Sequence, residues 1–337
     1  MPPCSELSIV VVTWHSADDI GPLLDSLAVP LAEGAELVVV ENGSGDTTPA
    51  LVRARVPAAR VIENSVNRGF AAAANQGLAA SRGEAVLFLN PDAVVHHGTV
   101  ARALARLAAD PTIGVLGCRT LNVDGTPQPT VDRFHTVSGL VREALTARRG
   151  PDAAPRGTAP AVTCDVDWVY GSFLLCRRAV LAAVGGFDET YEMYGEDLDL
   201  CHRVRAAGYH VLYLADATIT HRGNRSGARR YGAGRDVAVL KGTLRFFRRR
   251  RGRAAERVFR LLAGVSFVAK AAVSGVAALT GTRPEAASRA RLYARLAWLC
   301  ATGDRAARRE ADAGPTTALG RAASSARDPA IGPPPRA

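Results

Sequence analysis

The chain has 337 residues, 47% of them hydrophobic, and a formal net charge of +10. That size allows one large α/β domain with an appendage and a sizeable core. Six cysteines without paired spacing exclude a metal knuckle or disulfide scaffold and point to a reducing compartment, while the positive excess, concentrated between Arg222 and Arg260, calls for an anionic partner: a nucleotide, a nucleic acid or an anionic membrane surface.

Residues 7–14 (LSIVVVTW) form a continuous apolar, β-branched run, as expected of a strand buried on both faces. There is no basic leader and the first apolar run is short, so no signal peptide is expected. Ser16 is placed to cap a helix with Ile20, Leu23, Leu24 and Leu27 at helical spacing. A second buried strand, 37–40, ends in Glu41-Asn42-Gly43-Ser44-Gly45-Asp46, a turn composition. A short strand around Val61 and Ile62 precedes an Ala-rich helix at 70–80. Residues 85–89 are another buried strand, ending in Asn90-Pro91-Asp92. Strand alternating with helix predicts a mostly parallel sheet with helices on both faces. Ligands bind beyond the C-terminal strand ends of such sheets, where the polar clusters at 13–16, 41–46 and 90–92 fall.

From 122 to 163 the chain is rich in Pro, Gly and polar residues around a helix near 137–146, either an acceptor-side excursion or a tolerated insertion. Residues 168–178 read as a strand running into a helix. Leu198, Cys201 and Val204 mark one face of a helix ending at Gly208, and 210–221 contains a further strand. Helices are expected from there to about Cys300. Arg248 to Arg251, beside Phe246 and Phe247, form a basic cluster suited to anionic headgroups or a lipid diphosphate with Phe entering the interface, to nucleic acid, or to a plain solvated face. The stretch 258–279 is the most membrane-like. Arg260, Lys270 and its small residues make it an interfacial or packed helix rather than a span. The composition from Thr302 onward predicts a disordered tail.

Asp92, just past a buried strand, can hold Mg²⁺ or Mn²⁺ together with diphosphate oxygens; for the tripeptide alone an ordinary turn aspartate is the simpler reading. Asp197, at a helix start, is kept ionised by the helix dipole and can take a proton, or it is a pure cap with Glu196 and Asp199 as solvated acids. Glu196 is the closer competitor for the base role. His221 ends a strand and can complete a metal shell, although a lone His is more often structural. Glu41, Asn42 and Ser44 can bond a base or ribose, or serve only their own turn. Asn67, Gly69 and Asn75 flank a helix start whose N–H groups can approach a nucleotide. No dinucleotide GxGxxG, Walker motif or GxSxG elbow is present.

Taken in order, SIVVVTW from Ser8, VENGSGD from Val40, NRGF from Asn67 with Asn75-Gln76-Gly77, LNPD from Leu89, Gly171-Ser172-Phe173, GGFDE from Gly185, YGEDLDL from Tyr194 and finally His221 resemble the inverting family 2 glycosyltransferases of GT-A fold, in their bacterial rhamnosyltransferase-like branch. The resemblance implies that Thr13, Glu41 and Asn90 frame a nucleotide-diphosphate sugar, that Asp92 binds the metal, that Asp197 is the base and that His221 joins the metal shell. Glu41 stands where this family usually has Asp, His15 where Asn is common, and Asn90 replaces the first carboxylate of an Asp-x-Asp motif. The implied organisation is a GT-A domain over 1–235, a basic helical, membrane-associating extension over 236–301 and a tail over 302–337. The implied reaction is direct displacement onto a hydroxyl of a glycan or lipid-linked glycan on the cytoplasmic side of the membrane. The branch alone points to dTDP-rhamnose as donor. A degenerate module that binds nucleotide sugars without turnover is the rival reading, and a nucleic-acid partner ranks below both.

Overall fold

The N-terminal apolar run forms strand β1 (Leu7–Thr13), fully flanked by neighbours in a nine-stranded sheet. The computed structural model describes residues 4–139, 160–223, 234–280 and 284–303. Within them lie β2 (Glu36–Glu41), β3 (Arg60–Glu63), β4 (Ala85–Leu89), β5 (Ala93–Val95), β6 (Ile113–Leu121), β7 (Val131–Asp132), β8 (Cys164–Asp165), β9 (Trp168–Val169), β10 (Phe173–Arg177) and β11 (His210–His221). The sheet order is β3-β2-β1-β4-β10-β6-β11-β5, with β8 joined to β11. The ladders from β3 to β4 are parallel, as expected, and so is β6 with β11. β10 enters antiparallel between β4 and β6, which makes the sheet mixed. Its first residue, Phe173, pairs with Leu89, so the chain entering β10 lies at the C-terminal edge of β4.

The helices are α1 (Ile20–Ser26), α2 (Ala28–Ala32), α3 (Thr48–Arg55), α4 (Phe70–Ala80), α5 (Thr99–Ala109), α6 (Arg178–Val184) and α7 (Glu196–Ala206). Alternation along the strands feeds two cores. Ile9, Val11, Val39 and Leu87 pack with Leu23 of α1 and Leu104 of α5. Val10, Val38 and Phe88 pack on the other face with Ala74 of α4 and Leu198 of α7. Ser16 does not cap α1 with its hydroxyl, which bonds back to Trp14; its carbonyl instead accepts the N–H groups of Asp19 and Ile20.

Beyond the second gap come α8 (Arg235–Phe246), a π-helical turn (Phe247–Arg251), α9 (Gly252–Leu279) and α10 (Ala286–Thr302). The basic cluster faces inward, against the expectation of a headgroup-facing patch. Phe246 and Phe247 are both fully buried, Phe246 in the core beside α7 and Phe247 stacked on Phe259 at 4.4 Å. Arg249 Nε lies 2.8 Å from Asp188 and Arg250 Nε 2.5 Å from Asp199. Asp199 is therefore no solvated acid: it is completely buried and is paired with Arg250 and Arg203. The segment 258–279 packs at its start, where Phe259 and Ala263 are buried, and along α10 through Phe267, but past Ala263 none of α9 is buried. By length and composition, the helical stretch Arg235–Leu279 contains a segment long and apolar enough to cross a membrane. The expected tail beyond Gly303 and most of the helix expected near 137–146 lie outside the described residues.

Candidate active site

β11 ends by pairing antiparallel with β5, His221 opposite Ala93, and this register sets the imidazole beside Asp92. His221 Nε2 is 3.1 Å from Asp92 Oδ1 and 3.1 Å from Asn90 Nδ2. On the far side, His221 Nδ1 is 3.0 Å from Gln128 Oε1. The Gln128 amide nitrogen donates to the His221 carbonyl and to Asn122 Oδ1, both at 2.7 Å. That makes Oε1 the acceptor and His221 Nδ1 its donor, which orients the ring with Nε2 toward Asp92 and the Asn90 amide. A carboxylate and an imidazole nitrogen thus meet inside a buried notch. Sequence reasoning missed Gln128; it lies in a Pro- and Gly-rich stretch where nothing marks it.

Asp197 sits in the first turn of α7. Its Oδ2 accepts the Gly171 N–H at 3.0 Å and its Oδ1 the Leu198 N–H at 2.8 Å. Gly171 adjoins Ser172, whose carbonyl accepts the Asn90 N–H at 3.3 Å. The expected acids Asp92 and Asp197 therefore converge on one edge, where β4 ends and β10 begins. Burial raises the Asp197 carboxyl above its ordinary range despite those N–H groups, so the helix start does not hold it as low as the dipole alone predicts. Burial, then the Asp197 charge, raises Glu196 as well, and Glu196 Oε2 is buried with no hydrogen-bond partner.

The residues expected on the nucleotide side gather at the ends of β1 and β2. Thr13 is fully buried and its hydroxyl has no hydrogen-bond partner. Glu41 folds back on its own turn: Oε2 accepts the Gly43 N–H, and Oε1 accepts both the Ser44 N–H and the Ser44 hydroxyl. Asn42 brackets the 64–69 loop. It donates to Asn67 Oδ1 and the Gly69 carbonyl and accepts from the Arg68 N–H and Asn64. Asn67 also caps the Gly69 N–H. Gly69 has φ +82°, and a Cβ there would meet the Glu192 carbonyl at 2.9 Å, which only glycine avoids. Asn75 points the other way, bonding both backbone groups of Phe187 and the Glu189 carboxylate. It ties α4 to the GGFDE loop, and its amide is spent there.

Among the described residues no group of three or more His, Cys, Asp and Glu side chains could hold a metal. Asp92 and His221 offer a buried O,N pair at the end of β4. Such a set fits Mg²⁺ or Mn²⁺ when a bound diphosphate supplies further oxygens.

Residues 8–168 match the family model described as glycosyl transferase family 2. Over 234 residues the chain is 30% identical to the N-acetylglucosaminyl-diphospho-decaprenol L-rhamnosyltransferase of Mycobacterium tuberculosis, covering 64% of this chain and 75% of that relative. It is 29% identical over 224 residues to the pre-mycofactocin glycosyltransferase of the same organism, covering 65% of this chain and 43% of that one. A solved mannosyltransferase from Pyrobaculum calidifontis, in complex with GDP-Man and Mn²⁺, is similar in fold with a TM-score of 0.51 at 20% identity, covering 97% of this chain and 84% of that one. The fold is GT-A.

Proposed function

The chain belongs to glycosyltransferase family 2, and from that premise we propose that it is an inverting, metal-dependent transferase acting on a lipid-linked glycan in cell-surface polysaccharide synthesis. The observation that carries the reading is the convergence of Asp92 with His221, and of Asp197 through Gly171, on the end of β4. The relative named as a rhamnosyltransferase supports rhamnose as the transferred sugar and a sugar on a polyprenyl diphosphate as acceptor, with dTDP-rhamnose the donor that the branch resemblance implies.

Asp197 accepts the proton of the acceptor hydroxyl as that oxygen bonds to the anomeric carbon. The bond from that carbon to the donor diphosphate breaks on the opposite side, and the diphosphate leaves with the electron pair. Attack opposite the leaving group inverts the anomeric centre. Asp92 and His221 would hold Mg²⁺ or Mn²⁺, which supplies positive charge for the departing diphosphate. Thr13 and the turns that Glu41 and Asn42 shape line the donor side, with Ser44 and Asn67 at its rim.

The experiment is release of nucleoside diphosphate by purified protein, with donors first ranked by thermal shift in Mn²⁺. Release is expected only with donor, acceptor and divalent cation together, and chelation abolishes it. Donor binding without release across lipid-linked acceptors would leave a binding module instead.

A further inference from the structure

α9 and α10 form an antiparallel hairpin whose roots are sealed into the body. Phe259 and Ala263 of α9 and Leu296, Leu299 and Cys300 of α10 pack with Leu244 and Phe247. Past the root, 264–279 is roughly 24 Å of helix at 1.5 Å per residue, and no residue of it is buried. Leu261, Val265, Val268, Val276 and Leu279 recur at helical spacing along α9, and Trp298 stands on α10; each is more than half exposed, Leu279 at 91%. A solvent-facing apolar stripe of that length on a soluble body needs a partner.

The charge pattern selects it. Between 257 and 302 the only acidic residue is Glu285, whereas Arg257, Arg289, Arg291 and Arg295 are all exposed. Two copies meeting through this face would oppose like charges with no matching acids. A span is also disfavoured. Tyr293 lies level with Phe267, their rings stacked at 6.3 Å, so Arg289, Arg291 and Arg295 flank the middle of the apolar stretch rather than its ends. Crossing a bilayer would bury them in hydrocarbon. Lys270, the one charge of α9 beyond Arg260, already lies over the Phe267 and Tyr293 rings, 5.7 and 5.9 Å from their centroids. Beside the stripe a groove of about 500 Å³ runs between the helices, with Arg257 and Arg260 at one end and Leu261, Val265 and Val268 along it.

We propose that this hairpin lies flat on an anionic lipid bilayer, its valine–leucine stripe and Trp298 in the acyl boundary and its arginines among the headgroups. The headgroup contact thus belongs to the hairpin, not to the inward-facing Arg249 and Arg250. The inference rests on the reading of the acceptor as lipid-linked for its purpose, but its test uses neither donor nor acceptor, so the two fail separately.

The full chain is floated with phosphatidylcholine vesicles with or without ~30% phosphatidylglycerol. We expect flotation with the anionic vesicles and at least about tenfold less without the anionic lipid or with the triple substitution Leu261→Asp, Val265→Asp, Val268→Asp. All three positions are exposed, so the variant keeps the parent melting temperature and the same soluble donor binding. Equal flotation of the variant overturns the proposal, as does a wild-type chain that stays unbound. A wild-type dimer in light scattering that the same substitutions dissolve, without flotation, assigns the face to a second copy.

Discussion

Asp197 receives N–H groups from Gly171 and Leu198, while Glu196 Oε2 has no donor, so the first proton lost by the pair leaves Asp197. Burial raises both carboxyls, and the Asp197 charge raises Glu196 further. A base works deprotonated, and its raised pKa moves the acid limb of the rate profile upward. Turnover should therefore fail, as pH drops, at a value above that of an ordinary aspartate. Asp197→Asn should cut kcat by roughly 10²–10⁴ with donor binding intact, whereas Glu196→Gln should stay within about threefold and keep the same acid limb, because Glu196 is still protonated there. A pH profile of kcat/KM for both variants decides, and a dead Glu196→Gln beside an active Asp197→Asn would reverse the roles. Gln128 acts one step back, through the hydrogen bond that orients the His221 ring. Gln128→Ala should weaken Mn²⁺ by ~10–100-fold, read by electron paramagnetic resonance of free Mn²⁺, and shift the ring-nitrogen signals of His221. Gln128→Glu, which still accepts from Nδ1, should recover part of the loss. Unchanged affinity and ring signals in Gln128→Ala would remove Gln128 from the site.

At the scale of elements, much of the fold is legible because burial on both faces leaves an uninterrupted apolar run. β1, β4, α4 and β11 occupy the segments that periodicity assigns them. The stretch 93–121 stayed unread although half of it carries a clear signal: Val100, Ala103, Leu104 and Leu107 of α5 are spaced for one helix face, and all are buried. β6 is disguised by Gly114 and Gly117, which weaken a strand pattern; a Cβ on Gly117 would meet the Val169 side chain at 2.7 Å. The antiparallel entry of β10 could not be read, since an apolar run looks the same in either direction. Site residues divide similarly. The turn and strand-end positions of Asp92, Asp197 and His221 were visible. What a buried polar side chain points at was not, which is why Asn75 proves a bracket and Glu41 closes on its own turn. The acids that claim Arg249 and Arg250 lie far away in the sequence, so a basic run looked like a free surface.

For the whole molecule, the inward contacts of Phe246, Arg249 and Arg250 argue for a folding unit that extends past 235. A folding unit ending at 235 would lack Phe246, which is fully buried beside α7, and both arginines that neutralise Asp188 and Asp199. It would also lack Gly242, which lies so close to the turn before α7 that a Cβ would collide with the Tyr194 carbonyl. α8 and the π-helical turn thus brace the start of the helix that carries Asp197. Burial opposes the Asp199 charge, and the Arg250 and Arg203 guanidinium groups outweigh it, pulling the carboxyl below its ordinary range. Arg250→Ala would leave that buried charge to Arg203 alone, 2.7 Å away. A lost buried partner costs ~3–5 kcal/mol, and the remaining arginine sets the expectation at about 3. Urea unfolding should register that loss, and kcat should fall with donor KM unchanged, because Asp199 is two residues from the proposed base Asp197 on the same helix. A chain ending at 235 should neither fold cooperatively nor stay soluble, whereas one ending after α10 should melt as the full chain does. If the chain ending at 235 melts like the full protein and still turns over, α8 is an appendage and the bracing role is wrong.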